Sequence, residues 1–352
     1  MTTKPSKSID VGGTLVGPTH SPFIVAELSA NHLGSLERAH AIVDAAADIG
    51  CDALKLQTFT PNSMTLDVRE GAFAIADGPW QGRTLWDLYD EAHTPWEWHA
   101  ELFAHGNARG LKMFSTPFDE ESVDRLDKLG APIFKIASFE LVDLELIAAA
   151  ASTGKPIIMS TGMASEAEIA EAVDTARSHG AGGIVLMHCV SGYPTPPEQT
   201  NLRRLDALIP FCDVLGISDH SPGATVPIAA VSRGACMVEK HLTISRSDGG
   251  PDAGFSLEPN EFAEVVRGCK TAWAALGDGG AARPKAEAGS RQFRRSLYAA
   301  ADIAAGEPLT RANIRSIRPG HGLPPRELPS LLGRTARMNI SRGTPLAWEL
   351  IA

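Results

Sequence analysis

Two histidines, His220 and His241, follow short apolar runs that an Ala/Val-rich helical segment separates. A strand–helix–strand unit brings the ends of both strands to one edge of a sheet. Because side chains alternate along a strand, Ser218 shares a face with His220, and Glu239 with His241. Two imidazoles beside a carboxylate suit a catalytic divalent metal ion. The alternative for each histidine is an ordinary polar residue at a strand end.

Charged side chains also lie inside other apolar runs. Glu27 stands in FIVAELS, Lys55 in ALKLQT and Lys135 in PIFKIAS. Such groups are costly to bury without partners. For the two lysines we expect an anionic ligand; the alternative is a salt bridge to Glu27 or Asp119. Glu27 itself would otherwise cap a neighbouring backbone, and Gln57 shares the face of Lys55.

Hydroxyl groups follow several of the same runs. Thr116, Ser138 and Ser160 each stand at a predicted strand end. Hydroxyls and free backbone N–H groups at such ends suit a phosphate, although a single Ser or Thr there usually makes only a turn. The turn GGPD would present Asp252 toward the same region, unless it is an ordinary turn.

Eight β-like runs position these residues, and helical patterns that end in glycine separate several of them. The predicted strands cover 23–29, 53–58, 111–116, 132–138, 156–161, 183–189, 214–218 and 236–242. This alternation predicts an α/β fold, a (β/α)₈ TIM barrel whose active site lies at the C-terminal ends of the strands. An open doubly wound sheet is the alternative, but no G-x-G-x-x-G follows the first strand.

The pattern divides the chain into four parts. We predict an N-terminal β-hairpin cap at 1–20, the barrel at 21–278, a linker at 279–292 and a small β-rich module at 293–352. A long connection within the barrel, 59–110, holds four of the six tryptophans. Such a loop is usually a lid or a binding element, and the alternative is that these tryptophans pack it onto the barrel.

Composition excludes several classes of protein. The 352-residue chain carries a net charge of −10, which argues against nucleic acid or an anionic membrane as partner. No apolar run approaches the roughly 20 residues of a membrane span, and the N-terminus has no secretory pattern. Five cysteines without a C-x-x-C pair argue against structural zinc and disulfides. We therefore expect a cytoplasmic protein.

Many ordered motifs resemble one family along nearly the whole chain. They are AELSANHLGS, ALKLQT, FSTPFD, FKIASFE, STGM, HCVSGYPTP, GISDHS, VEKHLT, GGPD..FSLEP, RSLYAA and SIRPGHGL. Together they resemble the sialic acid synthase family, in which a barrel precedes a C-terminal SAF (antifreeze-like) domain. AELSANH, LYDEAHTPWEWH and KIASFE look like its pseudaminic acid synthase branch.

The resemblance implies condensation of phosphoenolpyruvate with an amino-sugar aldehyde, 2,4-diacetamido-2,4,6-trideoxy-L-altrose. It implies that His220 and His241 bind Mn²⁺, with Mg²⁺ or Co²⁺ as other candidates, and that Glu27 positions the sugar or the attacking water. The residues implied to hold phosphoenolpyruvate are Lys55, Thr116, Lys135, Ser138, Ser160 and Ser218. Those implied to face the sugar are Gln57, Tyr193, Asp252 and Arg318.

In the family an arginine of the SAF domain reaches the partner subunit's active site. Arg318 in SIRPGHG matches it, which implies a domain-swapped homodimer. Ser191 replaces the asparagine of the neuraminate branch, so the phosphate contact there differs. An N-acetylneuraminate or legionaminate synthase is the alternative enzyme. A sugar-binding protein with an inert barrel is the alternative from another class, but the two histidines, both lysines and Glu27 are all present.

Overall fold

The computed structural model of the chain describes residues 7–282 and 284–352. The chain forms two compact units, Met1–Gly277 and Asp278–Ala352. The start of the predicted hairpin region (1–6) and residue 283 of the predicted linker lie outside the described residues. A 3₁₀ helix, Lys285–Phe293, occupies much of the predicted linker region and extends one residue beyond it.

Eight parallel strands close into a barrel, which confirms the predicted fold class. A hairpin of β1 (Ile9–Val11) and β2 (Thr14–Val16) precedes them. The barrel strands are β3 (Phe23–Glu27), β4 (Ala53–Thr58), β5 (Lys112–Pro117), β6 (Phe134–Ile136), β7 (Ile157–Ser160), β8 (Ile184–Cys189), β9 (Val214–Ser218) and β10 (Met237–His241). Closure pairs β10 with β3.

Helices of the first unit cover the barrel or belong to its loops. They are α1 (Leu36–Asp48), α2 (Pro61–Met64), α3 (Leu85–Ala92), α4 (Trp96–Ala108), α5 (Glu120–Lys128), α6 (Leu144–Ser152), α7 (Glu166–Ser178), α8 (Leu205–Leu208), α9 (Thr225–Ser232) and α10 (Pro259–Leu276). Polar caps begin several of them; Ser35 accepts from the N–H of Arg38, and Asp119 from that of Ser122. Three of these helices, α2, α3 and α4, lie in the long connection between β4 and β5.

Barrel register brings the charged residues of separate strands side by side. His241 is paired with Glu27 across β10 and β3, and Glu27 with Lys55 across β3 and β4. Every residue of β3, β9 and β10 is buried, as expected for parallel strands covered on both faces. The polar residues of these strands must therefore find partners within the protein.

The second unit is a small β-rich body with its own apolar core. It contains β11 (Ser296–Ala299), paired antiparallel with β12 (Ile314–Ile317), and the short helix α11 (Leu328–Leu331). Its core includes Leu297, Leu309 and Ile340. In neither described range is any helix long and apolar enough to cross a membrane.

Candidate active site

Two lysines and two glutamates form a buried cluster at the mouth of the barrel. Lys55 Nζ lies 2.6 Å from Glu27 Oε2 and donates to Thr116 Oγ1 at 3.0 Å. Lys135 Nζ donates to both carboxylate oxygens of Glu239, at 2.9 and 3.0 Å. None of the four charged residues is more than 4% exposed. Each lysine thus has a carboxylate partner, and Lys135 contacts Glu239 rather than Glu27 or Asp119.

The two carboxyl groups of this cluster differ in acidity. Burial raises the pKa of Glu27 to about 7, although Lys55 opposes the shift. Burial also acts to raise the pKa of Glu239, but Lys135 and Lys55 outweigh it and lower that pKa to about 2. Glu239 is therefore a permanent anion, whereas Glu27 exchanges a proton near neutral pH. This separation is typical of a site in which one carboxyl takes part in proton transfer.

The lysines respond to burial differently. Burial alone would lower the pKa of Lys55, but the carboxylates of Glu239 and Glu27 raise it. Burial dominates at Lys135 and lowers its pKa. When Glu27 is protonated, the two ammonium groups and the Glu239 carboxylate leave the cluster with one net positive charge. That charge favours an anionic ligand.

His220 and His241 lie side by side, with ring centroids 5.4 Å apart. His241 ends β10, whereas His220 lies two residues beyond β9. His220 Nδ1 is 3.1 Å from the carbonyl oxygen of Val190, and His241 Nδ1 is 3.1 Å from Ser29 Oγ. Burial lowers the pKa of His241 well below its ordinary value, which favours the neutral imidazole. Both rings are held through Nδ1.

These two imidazoles fit a divalent metal ion. In the described parts of the chain, neither Nε2 atom has a hydrogen-bond partner, and an Nδ1–H bond to a carbonyl is the usual second contact of a metal-bound histidine. Residues 7–282 and 284–352 contain no group of three or more His, Cys, Asp or Glu side chains that could hold a metal. The nearby carboxylates, Glu27 and Glu239, are both paired with lysines.

The hydroxyl groups predicted at the strand ends have different partners. Ser218 donates to Glu239 Oε1 at 3.1 Å. Ser138 Oγ accepts from the N–H of Gly162 at 3.1 Å, and Ser160 Oγ is buried without a partner in the part of the chain that the structure describes. A Cβ atom at Gly162 would lie 2.4 Å from Ser191 Oγ and 2.7 Å from Ser138 Oγ. Any side chain at this position would therefore have to displace both hydroxyls.

A cavity of about 430 Å³ opens next to the histidines. Three of the residues expected to face the sugar, Gln57, Tyr193 and Asp252, line it together with His241. Gln57 donates to Glu27 Oε1 at 2.9 Å, and Asp252 accepts from the N–H of Ala30 at 3.3 Å. The fourth, Arg318, lies exposed directly after β12 of the second unit.

Aromatic rings form much of the cavity wall, and the sequence patterns did not indicate most of them. Phe255 contacts both histidines and Tyr193, whose ring centroid is 4.5 Å from that of His220. Phe255 follows the GGPD turn. Its position in the loop after β10 was the only feature of the sequence that could have indicated a place at the cavity. The size of the cavity suits a sugar-sized ligand.

The long connection 59–110 has both of the roles considered for it: part of it lines the cavity, and part of it packs onto the barrel. Trp80 lines the cavity and donates from Nε1 to the carbonyl of Pro251 at 2.9 Å. Trp98 instead packs against the barrel core and contacts the ring of His32 edge-on. The same segment therefore both closes the cavity and anchors itself to the barrel.

Glu140 is a cavity residue that the sequence analysis did not single out. Its Oε2 atom is buried and has no hydrogen-bond partner among residues 7–282 and 284–352. Burial raises its pKa to about 7. Because the raised pKa favours the protonated form in the folded state, its stabilising contribution is complete below about pH 4.5 and is lost as the pH rises to about 7.

We expect Glu140→Gln, which has no proton to lose, to have a Tm a few degrees above that of the wild type at about pH 8. At about pH 4.5 the two proteins should have similar Tm values. Glu27 has a similarly raised pKa, but it is present in both proteins and cancels in the difference. Thermal melts across this pH range, with exposed Glu166→Gln as control, measure the effect. A pH-independent difference would contradict this account of Glu140.

The fold and its charged mouth define a barrel enzyme that carries a second, SAF-type domain. Residues 42–281 match the NeuB family, and residues 294–352 match the SAF domain. The chain belongs to the NeuB family.

Three relatives illustrate the similarity. The pseudaminic acid synthase of Helicobacter pylori is 42% identical over 93% of this chain and 96% of its own length. The N,N'-diacetyllegionaminic acid synthase of Legionella pneumophila is 34% identical over 95% of this chain and 96% of its own. The crystal structure of an N-acetylneuraminic acid synthetase from Leptospira borgpetersenii superposes with a TM-score of 0.73 at 31% identity, covering 81% of this chain and 95% of that one.

Proposed function

We propose that this protein condenses phosphoenolpyruvate with 2,4-diacetamido-2,4,6-trideoxy-L-altrose and water, to give pseudaminic acid and phosphate. Pseudaminic acid synthases from two genera are 40–42% identical over more than 90% of the chain, whereas the legionaminic acid synthases are 34–35% identical. The observation that carries the proposal is the histidine pair beside two buried lysines at the mouth of a sugar-sized cavity.

Lys55 and Lys135 bind the phosphate and carboxylate of phosphoenolpyruvate in this scheme, with the hydroxyls of Thr116, Ser138 and Ser160. Ammonium groups form strong charge-assisted hydrogen bonds with such anions. Ser218 holds Glu239 in place. Because Lys135 is already paired with Glu239, an incoming anion shares this lysine with the carboxylate.

Gln57, Tyr193 and Asp252 position the open-chain sugar against the aromatic wall of the cavity. His220 and His241 would hold a divalent ion, most simply Mn²⁺, through their Nε2 atoms; Mg²⁺ and Co²⁺ are the other candidates. The ion supplies Lewis-acid polarisation of the sugar aldehyde. The C2–C3 double-bond electrons of phosphoenolpyruvate form a bond from C3 to the aldehyde carbon, and the aldehyde C=O π electrons move to its oxygen. Water adds at the resulting cationic C2, and the proton that it releases is passed to the aldehyde oxygen.

Glu27 is the proton-transfer group in this scheme. Its carboxyl contacts Lys55 and Gln57, and a pKa of about 7 lets it accept a proton from the attacking water near neutral pH. Cleavage of the C2–O bond then releases phosphate. The charged groups around the reacting centre are already in place before the reaction. Little reorganisation energy is therefore needed as charge develops in the transition state.

The deciding experiment supplies the purified full-length protein with phosphoenolpyruvate, Mn²⁺ and one sugar at a time. The sugars are 2,4-diacetamido-2,4,6-trideoxy-L-altrose, the corresponding precursor of legionaminic acid, and N-acetylmannosamine. Phosphate release and the product mass are measured. If only N-acetylmannosamine or only the legionaminic acid precursor is converted, the proposed substrate is wrong. If no sugar is converted, the synthase function is rejected.

We further propose a domain-swapped homodimer in which Arg318 contacts sugar in the partner's barrel. Its support is the SAF match over 294–352 and the exposure of Arg318 after β12. Arg318→Ala should raise the sugar KM roughly 10–100-fold. Refolding a mixture of inactive His220→Ala with Arg318→Ala should restore activity, because a mixed swapped dimer has one intact site. Without such recovery, Arg318 does not act across subunits.

A further inference from the structure

Another buried ion pair, separate from the two at the barrel mouth, lies directly behind the two histidines. Asp219 and Lys240 are the chain neighbours of His220 and His241, and they are 4% and 1% exposed. Alternation along β10 places Lys240 on the face opposite to Glu239 and His241. Neither residue lines the large cavity. This pair therefore has no contact with the substrates of the proposed reaction.

The pair belongs to a cluster in which the polar groups satisfy one another. Lys240 Nζ donates to Asp219 Oδ2 at 2.7 Å, to the carbonyl of Ser221 at 2.6 Å and to that of Asp219 at 3.4 Å. Asp219 accepts from the N–H of Ser221 at 3.1 Å and from its hydroxyl at 2.9 Å. The three ammonium hydrogens match three acceptors. The loop 219–221 is thus tied to β10 beside His241.

These contacts between the loop and β10 are important because His220 lies outside the hydrogen-bonded strands of the barrel. β9 ends at Ser218, so no regular strand pairing sets the position of His220. The backbone N–H of Asp219 donates to the carbonyl of Glu239 at 2.9 Å, and Lys240 adds the side-chain contacts one residue further along. This cluster thus fixes the loop against β10, in addition to the contacts of His220 with Val190 and with the N–H of Thr195.

Stability alone is a poor explanation for a buried ion pair. Removing two charges from water costs about as much as their attraction returns, and apolar replacements are often equally stable. A buried pair is better explained where it selects one arrangement of the backbone. Here the selected arrangement is that of the loop carrying His220 against the strand carrying His241.

We propose that the Asp219–Lys240–Ser221 cluster is a positioning device that sets the spacing of His220 and His241 for a divalent cation. The inference rests on the proposed metal-assisted function. Asp219 and Lys240 are positioning residues, since they touch neither substrate nor ion. Loss of a group that orients a metal-binding histidine typically weakens metal affinity 10–100-fold.

The test is the double variant Asp219→Asn/Lys240→Met in the full-length protein. Asparagine retains an acceptor for the N–H of Ser221 and can donate to its carbonyl, while methionine fills the volume of lysine. We expect a Tm within a few degrees of the wild type, with Mn²⁺ affinity of the metal-free protein weakened 10–100-fold. Competition with a fluorescent chelator measures this affinity without turnover. The Co²⁺-loaded variant should also have an altered visible spectrum.

Two control variants test whether a loss of Mn²⁺ affinity comes from positioning. One removes an ion pair elsewhere in the unit, and the other makes a small change within the cluster. Asp206→Asn/Arg233→Met removes an exposed ion pair of the same unit and should leave Mn²⁺ affinity unchanged. Ser221→Ala removes only one hydroxyl and should change it less than the double variant. If the double variant does not fold, Asp219→Asn alone replaces it, with a loss of about tenfold expected.

The outcomes distinguish this inference from the proposed function. Wild-type affinity and spectrum in the folded double variant, or in Asp219→Asn, would overturn the positioning role while leaving the synthase reaction intact. A wild-type protein that binds no divalent ion would overturn the metal assignment and the positioning role together. Weakened Mn²⁺ binding with retained Tm and unchanged phosphoenolpyruvate KM supports positioning.

Discussion

His220→Ala lowers kcat at least ~1000-fold at saturating substrates and Mn²⁺, which corresponds to about 4 kcal/mol of transition-state stabilisation. The imidazole provides an Nε2 atom that has no hydrogen-bond partner within residues 7–282 and 284–352, and its ring also contacts Tyr193 and Phe255. We expect the folded protein to retain its far-UV circular dichroism, because His220 lies in a loop outside the barrel strands. Phosphate release under single-sugar conditions measures the loss.

His179 provides a matched control, since it is an exposed histidine at the end of α7. His179→Ala should retain wild-type turnover. His241→Ala should resemble His220→Ala, and both variants should bind Mn²⁺ more weakly than the wild type. Full turnover by His220→Ala would show that the histidine pair has no part in the reaction.

Lys135→Met should raise the KM for phosphoenolpyruvate roughly 100-fold, because the substrate loses a charge-assisted contact worth about 3 kcal/mol. The same change leaves Glu239 buried without its bidentate partner, since Lys55 Nζ is 3.9 Å from Glu239 Oε1. Breaking a buried pair by removing one partner destabilises a protein by about 3–5 kcal/mol. A lower Tm should therefore accompany the higher KM.

The double variant Lys135→Met/Glu239→Gln separates these two effects. Removing the uncompensated carboxylate should recover most of the Tm, but the phosphoenolpyruvate KM should remain high. Lys128→Met, at the exposed end of α5, controls for the general loss of a lysine. A double variant with a normal KM would make Lys135 a purely structural residue.

The fold was predictable because it depends on local patterns that repeat. Each barrel strand in the structure lies within or one residue beyond its predicted run; β5, for example, extends to Pro117 rather than Thr116. Apolar runs of strand length alternated with glycine-terminated helical patterns, and such alternation leaves few topologies. Periodicity could not determine how residues 59–110 divide between cavity wall and core, because both Trp80 and Trp98 are simply large apolar side chains in a long connection.

Part of the candidate site was predictable from the two-residue alternation of side chains along the strands. Alternation placed Glu239 and His241 on one face and Lys55 and Gln57 on another, and barrel closure brings those faces together. Alternation could not determine which carboxylate pairs with which lysine. Lys135 and Glu239 are 104 residues apart, so their contact depends on the curvature of the closed barrel.

The amino-acid sequence by itself determined the barrel, the strands that bear chemical groups, and the inward direction of the two lysines, Glu27 and His241. Those properties follow from the spacing of apolar residues within each run and from the number of runs, and both can be read along the chain without knowledge of its folding. Tertiary structure alone decided the acidity of Glu27 and Glu239, since pKa depends on burial and on charges delivered by other strands. It also decided that Lys240 and Asp219 meet behind the histidines, because a strand residue and a loop residue 21 positions apart come together only when the barrel and its loops are packed.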